Sequence, residues 1–288
     1  MIPGSFDYHR PSSLATALAL LGQLDQDARV IAGGHSLIPM MKLRLASPSH
    51  LVDLAGIAEL KGVQADGAEI VIGAMTTQHE LIANEVLAAR VPILKETAAQ
   101  IADPQVRYMG TIGGNVANGD PGNDMPALMM ALGATYVLSG KGGERRVAAR
   151  GYYQGAYVTS AAPGEILTSI RFPAPPAGHG YAYEKLKRKV GDYATAAAAV
   201  ILTVAGGKIA ACSIALTNVA DTPLFAEAAA HAVIGTAADK ASLAKAAAAA
   251  EAIASPAADA RGSAAYRRKM AGVMAARALS RAFARAAR

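Results

Sequence analysis

The chain has one cysteine and no tryptophan in 288 residues, and only 5% of its residues are aromatic. A single thiol, Cys212, closes no internal disulfide and does not by itself ligate an iron–sulfur cluster, which ordinarily takes four thiolates. Set in the apolar run KIAACSIALTNV, it is expected to be a buried strand residue. The six histidines (His9, His35, His50, His79, His179 and His231) are scattered, with no pair at ligand spacing. No metal site is expected within this chain. Few aromatics leave no stacking platform for bases. The formal charge of +6 gathers in YEKLKRKVGDY and in the C-terminal YRRKMAGVMAARALSRAFARAAR. A basic nucleic-acid-binding or scaffold protein therefore stands as the non-enzymatic alternative, with no nucleic acid expected as the main partner.

Long apolar runs are also missing. No uncharged apolar run reaches the ~18 residues that a bilayer span requires. The longest, 125–140 and 193–207, are interrupted by glycine or proline and flanked by charge. The 52% hydrophobic content is largely alanine, which favours helix. The opening MIPGSFDYHRPSSLATAL has no basic segment leading into an apolar one, so no secretory signal is expected. The expected location is cytoplasmic, at most peripheral at the inner face of the cell membrane.

A chain of this length is expected to fold as two domains. SLATALALLGQL from Ser13 has helical periodicity, with Ser12 or Ser13 as its cap, and ARVIA (28–32) reads as a short strand. A Gly-Gly turn, a helix from about Ser36 to Leu45 and the strand SHLVDL complete a compact β-loop-α-β unit. Further on, AEIVIG is a strand, and Thr77 with Glu80 fits a capping box. PILKETAAQI and MPALMMALGA are helices, and TYVLSG, RRVAA and EILTSIRFP are strands of one sheet. PAPPAGHG (173–180) is the best linker. Beyond it, GYAYEKLKRK, ATAAAAVILTVA and KIAACSIALTNVA form a three-stranded antiparallel meander, with Gly206-Gly207 as a hairpin turn. Alanine-rich helices follow from Pro223. The boundary is placed near residue 177, with domains 1–177 (subdomains about 1–55 and 56–177) and 178–288. On the last helix Tyr266, Met270 and Val273 share one face and Leu279 and Phe283 fall nearly opposite. Either its last turns touch another subunit or two apolar residues sit on a solvated helix.

Two glycine pairs carry the chemistry. In AGGHS (32–36) the pair lets the backbone take positive φ and lets a ligand approach with no Cβ in the way. The helix start behind it suits a phosphate. The Ser36 hydroxyl can cap that helix or bond a phosphate oxygen, and His35 is either a donor or structural. No G-x-G-x-x-G or P-loop pattern is present. The second pair, in TIGGNVANGDPGND, adds Gly113 and Gly114 to Asn115, Asn118, Asp120, Asn123 and Asp124. That is more hydrogen-bonding capacity than turn chemistry needs. Two such segments can clamp a pyrophosphate from both sides, or be two tight turns.

AGGHS and TIGGN, with GDPGNDMPA, GEILTSIRFP and YEKLKRKVGDYATAAAAV, resemble the FAD-binding medium subunits of the molybdenum hydroxylases over essentially the whole chain. That family includes the xanthine dehydrogenases and the aerobic carbon monoxide dehydrogenases, and the likeness is strongest to the latter. The resemblance implies an α+β fold. Its parts are a two-subdomain FAD-binding domain of the vanillyl-alcohol-oxidase/UDP-N-acetylenolpyruvoylglucosamine-reductase type and a C-terminal domain with a three-stranded antiparallel sheet and helices. It implies FAD contacts from Ala32, Gly33, Gly34, His35, Ser36 and Leu37, and from Thr111, Ile112, Gly113, Gly114, Asn115, Ala117, Asn118 and Asn123. Asp124 matches an acid near the ribityl chain, Leu167 an apolar residue in the site, and Lys185 a lysine near the flavin ring that would favour its anionic reduced form. Tyr193 stands where an aromatic could cover a flavin face. No catalytic or metal residue is implied in this chain.

Partners implied are a small [2Fe–2S] subunit and a large molybdenum-cofactor subunit, assembled as a dimer of heterotrimers. CO would be oxidised at the molybdenum, and electrons would pass through the clusters to FAD and on to a quinone or cytochrome. The alternatives are the flavin subunit of a hydroxylase acting on an aldehyde or N-heterocycle, and a stand-alone FAD oxidoreductase, for which no acid–base pair is evident.

Overall fold

The computed structural model describes residues 2–24 and 27–286. Met1 of the opening segment and Arg288 of the basic C-terminal stretch lie outside the described residues. The strands Asp7–His9, Ala28–Ile31 and His50–Asp53 form a parallel three-stranded sheet with His50–Asp53 in the centre. The helix Leu14–Leu24 packs on it through Ala17 and Leu21, in a small core with Val52, Leu54, Ile57 and Leu60. The expected β-loop-α-β unit is present, but its helix is only Leu37–Lys42. Arg44 takes the left-handed conformation (φ 61), and the Leu45 N–H returns to the Met40 carbonyl at 2.9 Å. With Arg44 N–H on Met41 O at 3.2 Å, this is a Schellman stop in which arginine holds the place glycine usually takes.

A five-stranded antiparallel sheet follows, in the order Val63–Asp66, Glu69–Gly73, Ile166–Pro173, Thr135–Gly140, Gly143–Ala148. Its strands include all those expected from 69 to 173. The helices Gln78–Ala83, Pro92–Ala98 and Asp124–Ala131 cover it, and the Thr77–Glu80 capping box is formed, with reciprocal bonds of 3.2 and 2.7 Å.

The third sheet runs Gly180–Leu186, Ala196–Ala205, Lys208–Thr217, Leu224–Phe225. The expected three-stranded meander is thus extended by a two-residue fourth strand, which pairs only through Ala215 and Leu216. Gly206 and Gly207 both have positive φ (57 and 73), as a two-residue type I′ hairpin requires. The alanine run reads as strand because this sheet is buried on both faces. Ala197 and Ala199 join the core of the five-stranded sheet, and Ala196, Ala198, Val200 and Leu202 join the core under the C-terminal helices. Cys212 lies half-buried on Lys208–Thr217, where burial pushes its thiol up to about 12.

The helix Ala264–Ala286 corrects the expectation of a divided apolar face. Its buried stripe is Arg267, Ala271, Met274, Ala275, Ala278, Leu279 and Ala282, with Leu279 at 0% exposure in the core of its own chain. The stripe is hard to see in the sequence because its contact residues are mostly alanine, which lets helix and sheet approach closely. Arg267 is the polar member, donating to the carbonyls of Thr195 (3.2 Å), Ala257 (2.7 Å) and Asn218 (2.5 Å).

The helix–sheet spacing is set where Gly180 meets the helix. An added Cβ there would fall on the Ala282 carbonyl oxygen and lie 2.8 Å from the Ala282 carbonyl carbon. Gly180→Ala should therefore lower stability by about 1–3 kcal/mol through overpacking, visible in urea denaturation. An unchanged midpoint would show that the helix can shift freely.

Candidate flavin site

The first glycine segment leaves the strand Ala28–Ile31 at its C-terminal end and turns into the helix Leu37–Lys42. Gly34 makes the turn at φ +76, where a side chain would be strained. Gly33 acts differently, because its missing Cβ lets the turn rest on the Met109 carbonyl and the Gly110 Cα. Among the described residues, the N–H groups of Gly33, Gly34, His35, Ser36 and Leu37 donate to no protein acceptor. Ser36 occupies the N-cap position without a side-chain capping bond, and His35 is exposed beside Gly110. Five consecutive backbone donors around a left-handed glycine form a concavity suited to an anion.

The second glycine pair is not a loop. Thr111 caps the short helix Ile112–Ala117, so Gly113 and Gly114 lie in its first turn. The N–H groups here are already engaged by protein, with Ile112 on Thr76 O (2.9 Å), Gly113 on Ala74 O (2.8 Å) and Gly114 on Thr111 Oγ1 (3.1 Å). Gly113 is a protein–protein contact, since a Cβ there would meet Ala74 at 2.5 Å. The picture of two like Gly-Gly turns is corrected accordingly: the unpaired N–H groups of a glycine pair are those of the first segment, while the backbone N–H groups of Ile112, Gly113 and Gly114 are taken up by protein. The second segment presents a helix face, with Gly114, Asn115, Ala117 and Asn118 all reached by solvent. The segments touch, an added Gly114 Cβ standing 3.5 Å from the Ala32 Cβ. Beside them the buried Asn118 Nδ2 has no partner among the described residues, a donor that costs about 1–3 kcal/mol if left unpaired. Asn123 and Asn115 are structural here: Asn123 Nδ2 donates to Asn115 O (2.7 Å), and Asn115 Oδ1 accepts from Met125 N (3.3 Å).

Asp124, in the first turn of Asp124–Ala131, sits behind this face. Its Oδ1 accepts from the Tyr183 hydroxyl at 2.5 Å and its Oδ2 from Lys185 Nζ at 2.7 Å. The two charged side chains are only 5% and 1% exposed. Lys185 also donates to Gln100 O at 3.4 Å. The ammonium that the resemblance places near the flavin ring is thus ion-paired with Asp124. Burial pushes the Asp124 carboxyl up, against the pull of Lys185 and its hydrogen bonds. Leu167 lies in the main core next to the strand bulge at 167/169. Tyr193 is 44% exposed and packs its ring on Gly122, where a Cβ would stand 2.7 Å from Cδ1. Burial and the charge of nearby Asp120 push its hydroxyl up to about 12.

Sequence reasoning missed the Met109–Gly110 support and Tyr183. Tyr183 had a signal: it lies two residues before Lys185 on a strand and shares its face.

The family model described as the FAD binding domain in molybdopterin dehydrogenase matches residues 4–175. The CO dehydrogenase flavoprotein C-terminal domain matches residues 181–282. The chain is 67% identical over 286 residues to the carbon monoxide dehydrogenase medium chain of Afipia carboxidovorans, covering 99% of both. The chain belongs to the carbon monoxide dehydrogenase medium-chain family. A second medium chain of this family, from Hydrogenophaga pseudoflava, is 51% identical over the full length of both chains. Among solved structures, a chain of the Cu,Mo-CO dehydrogenase in its cyanide-inactivated form superposes with a TM-score of 0.98 at 67% identity, over 99% of this chain and 100% of that one.

Removing the ammonium should expose the cost of burying Asp124. Lys185→Met should destabilise the flavin-free protein by about 3–5 kcal/mol at neutral pH, because a buried carboxylate loses its partner. With its folded pKa raised above the unfolded one, Asp124 contributes stability below the unfolded value and loses it as pH rises through the folded value. The variant should therefore recover in acid and weaken as pH rises. A loss independent of pH in urea unfolding would show that Asp124 is not the group left behind.

Proposed function

We propose that the chain is the FAD-bearing medium subunit of an aerobic carbon monoxide dehydrogenase. The observation that carries this reading is the row of unpaired N–H groups from Gly33 to Leu37 beside the unpaired Asn118 amide, in a chain two-thirds identical to such a medium chain. The residues fit an FAD pyrophosphate: five backbone donors, the Ser36 hydroxyl and a left-handed Gly34 that keeps Cβ atoms out of the approach. Asn115, Ala117 and Asn118 offer the facing wall. Thr111, Ile112 and Gly113 act one layer further back by fixing the helix that bears them. Asp124 and Lys185 hold the C-terminal sheet against the site, and Leu167 seals the core beneath it. Tyr193 lies at the rim.

FAD supplies the redox chemistry, accepting electrons and passing them on. The protein binds it, orients it and limits water around it, which needs no nucleophile or acid–base pair from this chain. Electrons are taken from a small [2Fe–2S] subunit and handed to an external quinone or cytochrome, while CO is oxidised at the molybdenum cofactor of a large subunit. The assembly is a dimer of heterotrimers in the cytoplasm, with at most peripheral contact to the membrane. Within the chain, the FAD-binding domain ends near residue 177.

The test is to purify the chain with its cluster and molybdenum subunits. A yellow complex that releases FAD on denaturation, and whose flavin absorbance bleaches anaerobically on adding CO, is the expected result. Bleaching by an aldehyde or N-heterocycle but not by CO would reassign the substrate. Asn118→Asp, which puts a carboxylate where a phosphate-bearing ligand would lie, should weaken FAD binding about tenfold or more. Unchanged affinity in a fluorescence titration would remove Asn118 from the site.

A further inference from the structure

Tyr157 is a non-glycine residue in the left-handed region, at φ +61, yet the residue is 57% exposed. Such a backbone is unfavourable for a bulky residue and persists only where its surroundings impose it. Packing does not explain the tyrosine, because so exposed a ring buries little. The surroundings are specific. Tyr157 lies in the tight connection between the strands Tyr153–Gly155 and Val158–Thr159, and its N–H donates to Gly119 O at 2.8 Å. Gly119 is itself left-handed (φ +64), and a Cβ there would stand 3.3 Å from the Tyr157 backbone and 3.0 Å from Thr159 Cγ2. The connection is therefore pressed onto the polar segment that follows Asn118.

Three residues along that segment, Gly122 receives the ring of Tyr193. Asp120 lies between the two glycines, caps Gly122 N at 2.9 Å, and acts on both tyrosine hydroxyls. Two exposed tyrosines are thus tied to the glycines that flank Asp120 in this segment, Tyr157 by its backbone at Gly119 and Tyr193 by its ring at Gly122, just beyond Asn115 and Asn118. The Arg261 guanidinium lies 5.8 Å from the Tyr193 ring centroid.

We propose that Tyr157 is a flavin-binding residue, held in its strained conformation by Gly119 so that its exposed ring, together with that of Tyr193 on Gly122, walls the ring end of the bound FAD. This rests on the reading of the site as an FAD site. It assigns binding to the ring of the side chain rather than to its hydroxyl, and separates the ring end of the ligand from the pyrophosphate end at Gly33–Leu37.

The test uses the full complex, stripped of flavin and titrated with FAD and, separately, with ADP, which carries the pyrophosphate but no flavin ring. Tyr157→Asn tolerates the left-handed backbone better than tyrosine does. It should leave the thermal midpoint of the flavin-free complex unchanged or raise it by about 2 °C. It should weaken FAD about fivefold and leave ADP affinity as in the wild type. Tyr157→Phe should bind FAD within about twofold of wild type. FAD affinity unchanged in Tyr157→Asn, equal losses for FAD and ADP, a lowered midpoint accompanying the loss, or an equal loss in Tyr157→Phe would each overturn the assignment. A wild-type complex that takes up no FAD would instead overturn the reading of the site itself.

Discussion

The contact on which the candidate site depends is backbone against backbone: the turn at Gly33 resting on the Met109 carbonyl and Gly110. It joins the turn that leaves the small parallel sheet to the backbone that leads into the helix Ile112–Ala117, without any side chain between them. A second contact of the same kind seats Gly113 on Ala74. Together they fix the 32–37 turn, the helix Ile112–Ala117 and the end of the strand Glu69–Gly73 in one place. Both glycines look like ligand contacts in the sequence, and both are occupied by protein. The donors left over for a ligand are those that this packing leaves unpaired, from Gly33 to Leu37. Close packing and an open anion site are here two results of one arrangement.

Behind that site lies a polar centre of opposite character. Asp124, Lys185 and Tyr183 are buried, and each charged group is balanced within the chain. Such a pair contributes little net stability over an apolar replacement, because desolvation offsets most of the attraction. Its value is geometric: Tyr183 and Lys185, from one face of a C-terminal strand, fix a carboxylate on a helix of the N-terminal part.

Much of the architecture was legible because its signals are local. The capping box at Thr77, the Gly206-Gly207 hairpin and the β-loop-α-β unit are each written within a few residues. The likeness of AGGHS and TIGGN to a known family carried the assignment to flavoproteins further than their chemistry alone could. What stayed hidden depends on partners distant in sequence. TIGGN reads as a loop by composition, but it is a helix start whose Ile112 and Gly113 N–H groups donate to the distant Thr76 and Ala74 carbonyls. Nothing near Lys185 in sequence announces its ion pair with Asp124, 61 residues away. The stripe of Ala264–Ala286 escapes a hydrophobic pattern search because alanine signals helix, not contact. The strained Tyr157 has no sequence signal, since nothing in GAYVT announces positive φ.

The sheet that begins at Gly180 has its alanines divided between two cores, one on each face. A layer shared in this way cannot lose one neighbour without exposing the other, so the two halves of the chain should open as a single cooperative unit. Ligand bound by the N-terminal half would then protect amides in Ala196–Ala205 from solvent exchange. Occupancy of the cofactor would be registered throughout the C-terminal half, where a neighbouring subunit could sense it as a change in stiffness rather than in shape.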